Sequence, residues 1–360
     1  MTAAIYGIGT AQPAHFLSQD LAVKMVRSFV FPDDEGIEAL KETLRGSGVT
    51  SRGSGVLEDD QGGQHFYTPA KGADDPGPTT GRRMERYARE AGPLAERAAR
   101  RALAASGCRA EEITHVVTVS CTGFAAPGID SSLVRCLGLS PHVARLHVGF
   151  MSCHGSINGL MAAKALAESS PSARVLLCAV ELCTLHFQQG FDPSQLFANS
   201  LFGDGAAAVV IGPEESGPAG AWQVRATGSL LMPDSSDAMT WEVGDHGFRM
   251  NLEGLAPHLI SPQFRGWVKE WLAGLGFSME KVGSWAIHPG GARMASAVAR
   301  MLKLPKGATS VSADVLAECG NMSSPTVLFV LDRLQQTGAA RPCVLLAFGP
   351  GVAVEAALVG

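Results

Sequence analysis

The chain has 360 residues, 46% hydrophobic and only 18% charged, enough to bury a large core, and its net charge of −5 at pH 7 gives no reason to expect nucleic acid. No apolar run approaches the ~20 residues of a membrane-spanning helix, and residues 1–12 lack the basic start and apolar core of a secretion signal, so a cytoplasmic protein without membrane insertion is expected. Eight cysteines include no Cys-x-x-Cys pair, which leaves neither a zinc nor a redox motif to expect.

In chain order, Ala4–Gly9 reads as a strand, followed by a helical stretch rich in Leu, Val and Met. Residues 58–80 are polar, Gly/Pro-rich and without period, which predicts a surface excursion. Arg82–Ser106 has helical patterning, with a break expected at Gly92-Pro93 because proline suits the first turn of a new helix. Seven arginines against three glutamates between Arg82 and Arg101 read as a solvated helix face. His115–Ser120 predicts a strand, Leu133–Leu137 a helix, Gly155–Ser169 a helix, and Arg174–Val180 a strand buried on both faces. Phe202-Gly203-Asp204-Gly205 predicts a tight turn feeding strand Ala206–Ile211. A Gly/Pro/Glu/Ser shift at Pro213–Ala221 marks the expected boundary between a half spanning 1–215 and a half spanning 216–360. The second half predicts strands at Trp222–Leu231, Ser284–His288, Cys343–Phe348 and Val352–Leu358, with helices at Gln263–Leu275, Met294–Leu302 and Thr326–Gln336. Alternation of this kind argues for an α/β fold with helices covering the sheets.

Three residues stand where one element gives way to another. Cys153 precedes a helix, where unpaired N–H groups and the helix dipole favour a thiolate, so substantial ionisation at neutral pH is expected. His288 ends a strand, and Pro289-Gly290-Gly291 turns the chain after it. Asn321 lies in a small-residue turn, Gly320-Asn321-Met322-Ser323-Ser324; it cannot titrate, so it suits an oxyanion or enolate whose charge appears only during reaction. Taken singly, each residue reads as packing or turn-forming. Together they suggest acyl transfer through a thioester.

The runs Phe150-Met151-Ser152-Cys153, Leu201–Ala208, Trp285–Gly291, Gly320–Ser324 and Phe348-Gly349-Pro350-Gly351 resemble the type III polyketide synthases, the chalcone and stilbene synthase relatives, including bacterial members. The resemblance extends from Tyr6 to the C-terminus. It implies a thiolase-like fold of duplicated αβαβα layers, a homodimer, acyl-CoA starter and malonyl-CoA as substrates, and no cofactor or metal. By that resemblance Cys153 is the nucleophile that loads the starter, while His288 and Asn321 polarise the malonyl thioester and steady its enolate; His288 would also hold Cys153 as thiolate. Phe202 matches a gatekeeper aromatic between the coenzyme A tunnel and the cavity. Met250 replaces a second gatekeeper, and His186, Cys183, Cys121, Trp241, Leu252 and Ser323 fall on or near cavity positions of relatives. Ala126 stands where plant enzymes carry a larger side chain, and with Met250 it leans the reading toward a fatty acyl starter. Lys41, Arg45, Gly290 and Arg293 are the candidates for coenzyme A contacts. The expected product is a pyrone, resorcinol or related aromatic. The alternatives are an initiating ketoacyl-acyl-carrier-protein synthase and a non-catalytic thiolase-fold binding protein.

Overall fold

The computed structural model describes residues 1–29, 41–69, 71, 75–189, 193–251 and 261–360. In its first half, β1 (Ala3–Ala11) leads through α1 (Gln19–Phe29) to α2 (Thr80–Ser106). Then come β4 (His115–Ser120), α3 (Ile129–Leu137), β5 (Ala144–Gly149), α4 (Gly155–Glu168), β6 (Val175–Leu182), α5 (Pro193–Leu201) and β7 (Asp204–Pro213). Two short strands, β2 (Phe16–Ser18) and β3 (Ser51–Gly53), pair with each other beside α1. The second half runs β8 (Trp222–Leu231), the hairpin β9 (Thr240–Gly244) and β10 (Gly247–Asn251), α6 (Pro262–Gly274), β11 (Ser284–Ile287) and α7 (Met294–Leu302). It ends with α8 (Ser310–Cys319), α9 (Thr326–Gln336), β12 (Cys343–Gly349) and β13 (Ala353–Val359).

Nine strands form one sheet in the order β11-β12-β13-β8-β1-β7-β6-β4-β5. Outward from β1 the chain places β7, β6 and β4; outward from β8 it places β13, β12 and β11 by the same path, two antiparallel steps and then the parallel pair β6–β4 or β12–β11, and the β1 side then adds β5, parallel to β4. The two sets meet where β1 and β8 pair antiparallel. One apolar cluster takes residues from both sets of strands, with Ile157 and Leu160 of α4 and Val327 and Leu331 of α9 between them. Helices α2 and α3 cover the other face of the β1 set, and α6 and α7 that of the β8 set. Helix, sheet, helix, sheet, helix is the resulting layering. Strands buried on both faces explain the unbroken apolar runs in β6, β7 and β12.

Three expectations are corrected. Helix α2 runs unbroken through Pro93, and Gly92 serves close packing: a Cβ there would meet Ser132 Oγ at 2.7 Å, against α3. The α2 arginines are not all solvated, because Arg83 is fully buried and donates to the Phe187 carbonyl and the Tyr67 hydroxyl. The described part of 58–79 is the largely exposed excursion without helix or strand that the sequence predicts, anchored by one buried side chain, Tyr67, whose hydroxyl donates to the Thr184 carbonyl. In addition, Asp204 and Gly205 belong to strand β7 itself, not to a turn before it.

Candidate active site

Cys153 is buried in a single turn, Ser152–His154, that feeds α4. Ser152 and Phe150 both hold positive φ, 55° and 57°, a left-handed conformation costing about 1–3 kcal/mol at a non-glycine residue. Gly155 lets the helix start sit close on β4, since a Cβ there would meet Val119 Cγ1 at 2.8 Å.

His288 follows β11, and its N–H donates to the Leu346 carbonyl of β12 at 2.8 Å. Asn321 precedes α9, and its backbone is bridged to the Leu201–Gly203 segment: Asn321 N–H donates to Leu201 O at 2.9 Å and Gly203 N–H to Asn321 O at 3.0 Å. Asn321 Oδ1 accepts from Ser323 N–H at 2.8 Å and lies 4.0 Å from Cys153 Sγ. With Oδ1 so engaged, the Nδ2 hydrogens are the donors left for a ligand. Cys153, His288 and Asn321 line one small cavity together with Phe202, Met239, Gly290, Met294 and Phe348.

The charge state differs from the sequence expectation. Burial pushes the Cys153 thiol up to about 11 and the His288 imidazole down to about 3, and neither His288 nitrogen has a hydrogen-bond partner among the described residues. The resting pair is therefore thiol and neutral imidazole, without the bond that would hold a thiolate. The helix start alone does not outweigh desolvation of a fully buried sulfur.

Phe202 also lines a second, larger and mostly apolar cavity. Cys121, Cys183, His186, Trp241, Met250 and Ser323 all line this larger space, which reaches Leu17, Ala22 and Met25 beside α1. Cys121 Sγ sits 3.4 Å from Ser323 Oγ. His186 is locked as a wall. Its Nδ1 accepts from Phe248 N–H at 3.0 Å, so Nε2–H donates to the Thr122 carbonyl at 2.6 Å, and the ring stacks on Phe248 at 4.1 Å. Burial lowers its pKa to about 3, so it is no proton carrier near neutrality. Trp241 is fixed edge-on to the same stack and donates Nε1–H to Cys121 O at 2.8 Å. Leu252 lies outside the described residues.

Of the coenzyme A candidates, Lys41 and Arg45 lie on the helical residues 41–46, Gly290 lines the smaller cavity and Arg293 is exposed just before α7. The two segments touch, as a Cβ on Gly48 would meet Ala292 Cβ at 2.8 Å.

Residues 2–215 match the N-terminal domain of chalcone and stilbene synthases, and residues 223–360 match the C-terminal domain of the same enzymes. The chain belongs to the chalcone and stilbene synthase family. It is 34% identical to an "alpha-pyrone synthesis polyketide synthase-like" protein, Pks18, of Mycobacterium tuberculosis, over 99% of this chain and 90% of the relative. A 1,3,6,8-tetrahydroxynaphthalene synthase of Streptomyces peucetius is 38% identical over 73% of this chain and 71% of its own length. Among solved structures, PKS-I of the brown alga Ectocarpus siliculosus superposes with a TM-score of 0.90 at 27% identity, covering 99% of this chain and 98% of its own. The C-terminal type III polyketide synthase domain of Steely1 from Dictyostelium gives 0.87 at 26% identity, covering 100% and 99%. This type III polyketide synthase is thus an acyltransferase of thiolase-like fold that works on coenzyme A thioesters by decarboxylative Claisen condensation.

Sequence reasoning missed Glu181, which lines neither cavity but holds the loop that does. Glu181 is fully buried at the end of β6 and accepts from the N–H groups of Cys121 and Thr122 at 2.9 and 3.0 Å and from the Thr122 hydroxyl at 2.7 Å. It ties the loop carrying Cys121 to β6, and burial holds its carboxyl above the ordinary range. A lone carboxylate in the apolar run Val175–Leu182 was its readable signal. Met239 and Met294, which narrow the cavity around Cys153, left no such mark.

Proposed function

We propose that Cys153 takes a fatty acyl starter from coenzyme A as a thioester, His288 accepting the thiol proton. Asn321 Nδ2 and His288 then polarise the malonyl thioester carbonyl and steady the enolate left by CO₂ loss, which attacks the acyl–Cys153 carbon and releases the sulfur. Residues 1–215 contribute the nucleophile and residues 216–360 the His–Asn pair, and no cofactor takes part. The observation that carries this reading is the junction at Phe202 between the small Cys153 chamber and a larger apolar space. The small chamber suits the condensing carbons; the larger one suits a flexible aliphatic chain, since Met250, Trp241 and Phe248 form apolar walls there. The pyrone synthesis named for the 34% identical relative supports a pyrone-type product.

Purified protein is expected to elongate aliphatic acyl-CoA starters with malonyl-CoA more than once without a carrier protein, read by mass spectrometry of the products. A preference for aromatic starters would overturn the starter assignment; one round that requires a malonyl carrier protein would overturn the polyketide reading itself. Trp241→Ala removes a large wall and a hydrogen bond to Cys121 O. It is expected to shift products toward longer chains, at a stability cost of about 2–4 kcal/mol, measured by product masses and thermal melting.

The protein acts as a homodimer in this reading. β5 is the sheet's last strand, with Ala144–His147 exposed, and Phe124, Phe150, Met151 and Met161 are exposed large hydrophobics in the segments around it. Leu146→Asp is expected to convert dimer to monomer in sedimentation analysis; an unaltered sedimentation coefficient would move the interface elsewhere.

A further inference from the structure

We propose that the aliphatic tail of the starter lies along α5 and ends against α1, where Ala22 and Met25 set the longest tail the enzyme accepts. The inference rests on the fatty acyl reading above and names the residues that limit it.

Gln195, Ala198, Asn199 and Phe202 all line the larger cavity. Steps of three, four and seven residues fall on one face of a helix. Helix α5 therefore presents a single stripe to the cavity, and Phe202, directly after the helix, closes that stripe. Seven residues at the rise of an α-helix make about 10 Å.

The two ends of this path have different neighbours. Phe202 packs with Ala198, Met239, Met250 and Trp241, whereas Ala22 packs with Leu44, Leu196, Leu17 and Phe187. The two clusters share no residue, yet Phe202, Ala22 and Met25 line the same space. Polar side chains along the way are bonded to the protein. Gln195 Nε2 donates to the Met250 carbonyl at 2.9 Å, Asn199 Nδ2 to the Gln188 carbonyl at 3.0 Å, and the Thr184 hydroxyl to Asp204 at 2.6 Å. What they leave for an occupant is carbon, which suits a run of methylenes.

Helix α1 makes a firm end wall. The Gln19 N–H at its start donates to the Thr50 carbonyl at 3.0 Å, and Leu17, on β2, is paired with Arg52 of β3. From the side of the excursion, a Cβ on Gly62 would come within 3.3 Å of Met25 Sδ, so that segment lies against the helix. Ala22 and Met25, three residues apart, share one helix face. Ala22 is 1% exposed and is the smallest of the three wall residues, so each carbon added there displaces a carbon of the tail. Methionine at 25 is pliable and adapts to tails of slightly different length.

The test uses the whole protein with a ladder of saturated fatty acids and their coenzyme A thioesters. Fatty acid binding, read by tryptophan fluorescence because Trp241 lines the same cavity, is expected to tighten with length up to a limit. Ala22→Phe is expected to shorten that limit and to lower kcat/KM for the longest accepted starter about tenfold or more relative to the shortest. Ala22→Leu should act in the same direction and serves if phenylalanine disturbs α1, while Met25→Ala should lengthen the limit. An unmoved limit in folded Ala22→Leu and Met25→Ala proteins, or an equal loss at every length, overturns the proposal. A residue that merely held α1 in place would lower melting and leave the length preference where it was. Absence of any length dependence in the unaltered protein would remove the fatty acyl reading and the proposal with it. Fatty acid binding needs no malonyl-CoA, so failure of the length limit is distinguishable from failure of the polyketide reading.

Discussion

Cys153→Ala is expected to abolish chain extension, a loss on the order of 10⁴-fold or more, the scale set when a covalent nucleophile is removed. The side chain loses one sulfur atom in a chamber that already holds empty space, so the melting temperature should stay within a few degrees. Polyketide formation from acyl-CoA and malonyl-CoA, followed alongside thermal melting, checks both halves. Substantial extension by a folded Cys153→Ala protein would remove the thioester from the scheme. The buried thiol adds a second expectation. With sulfur near 11 and imidazole near 3, alkylation by iodoacetamide should be slow in the free enzyme and should quicken once a bound thioester supplies an acceptor for the developing charge.

His288→Gln is expected to slow malonyl-CoA decarboxylation by about 10²–10⁴-fold, the range for a positioned acid–base group. Loading should fall as well, because the thiol, held near 11, then loses its proton acceptor. Asn321→Ala should slow decarboxylation by about 10²–10³-fold, as the loss of one donor to developing negative charge, and affect loading less. Release of CO₂ against single-turnover acylation separates the two steps. Equal loss in both for Asn321→Ala would show that Asn321 is not specialised for the malonyl carbonyl.

Much of the architecture was legible because both-face burial leaves a strong mark. Strands β4 and β8 and helices α7 and α9 begin and end where apolar patterning and turn residues put them. Elements with weaker patterning escaped. β5 is exposed over Ala144–His147, so its alternation is blurred, and the β9–β10 hairpin turns at Asp245-His246 without the usual glycine-led signal. Pro93 misled for a local reason: a proline inside a long helix costs one hydrogen bond, and the packing of Ala91, Ala95, Ala98 and Ala102 outweighs it. At the site, residue types and their flanking turns pointed to Cys153, His288 and Asn321. Their charge state did not follow, because desolvation depends on how deeply three distant segments are folded over one another.

The backbone ladder between Asn321 and Leu201–Gly203 couples two features that a designer would want to vary separately. Aperture and carboxamide hang from the same pair of main-chain rungs, so a loop insertion that widens the opening would also drag the amide off target. Side-chain exchange at Phe202 leaves those rungs intact. Diversification of chain length in this scaffold is thereby channelled into rotamers and volumes, with the reacting geometry held constant.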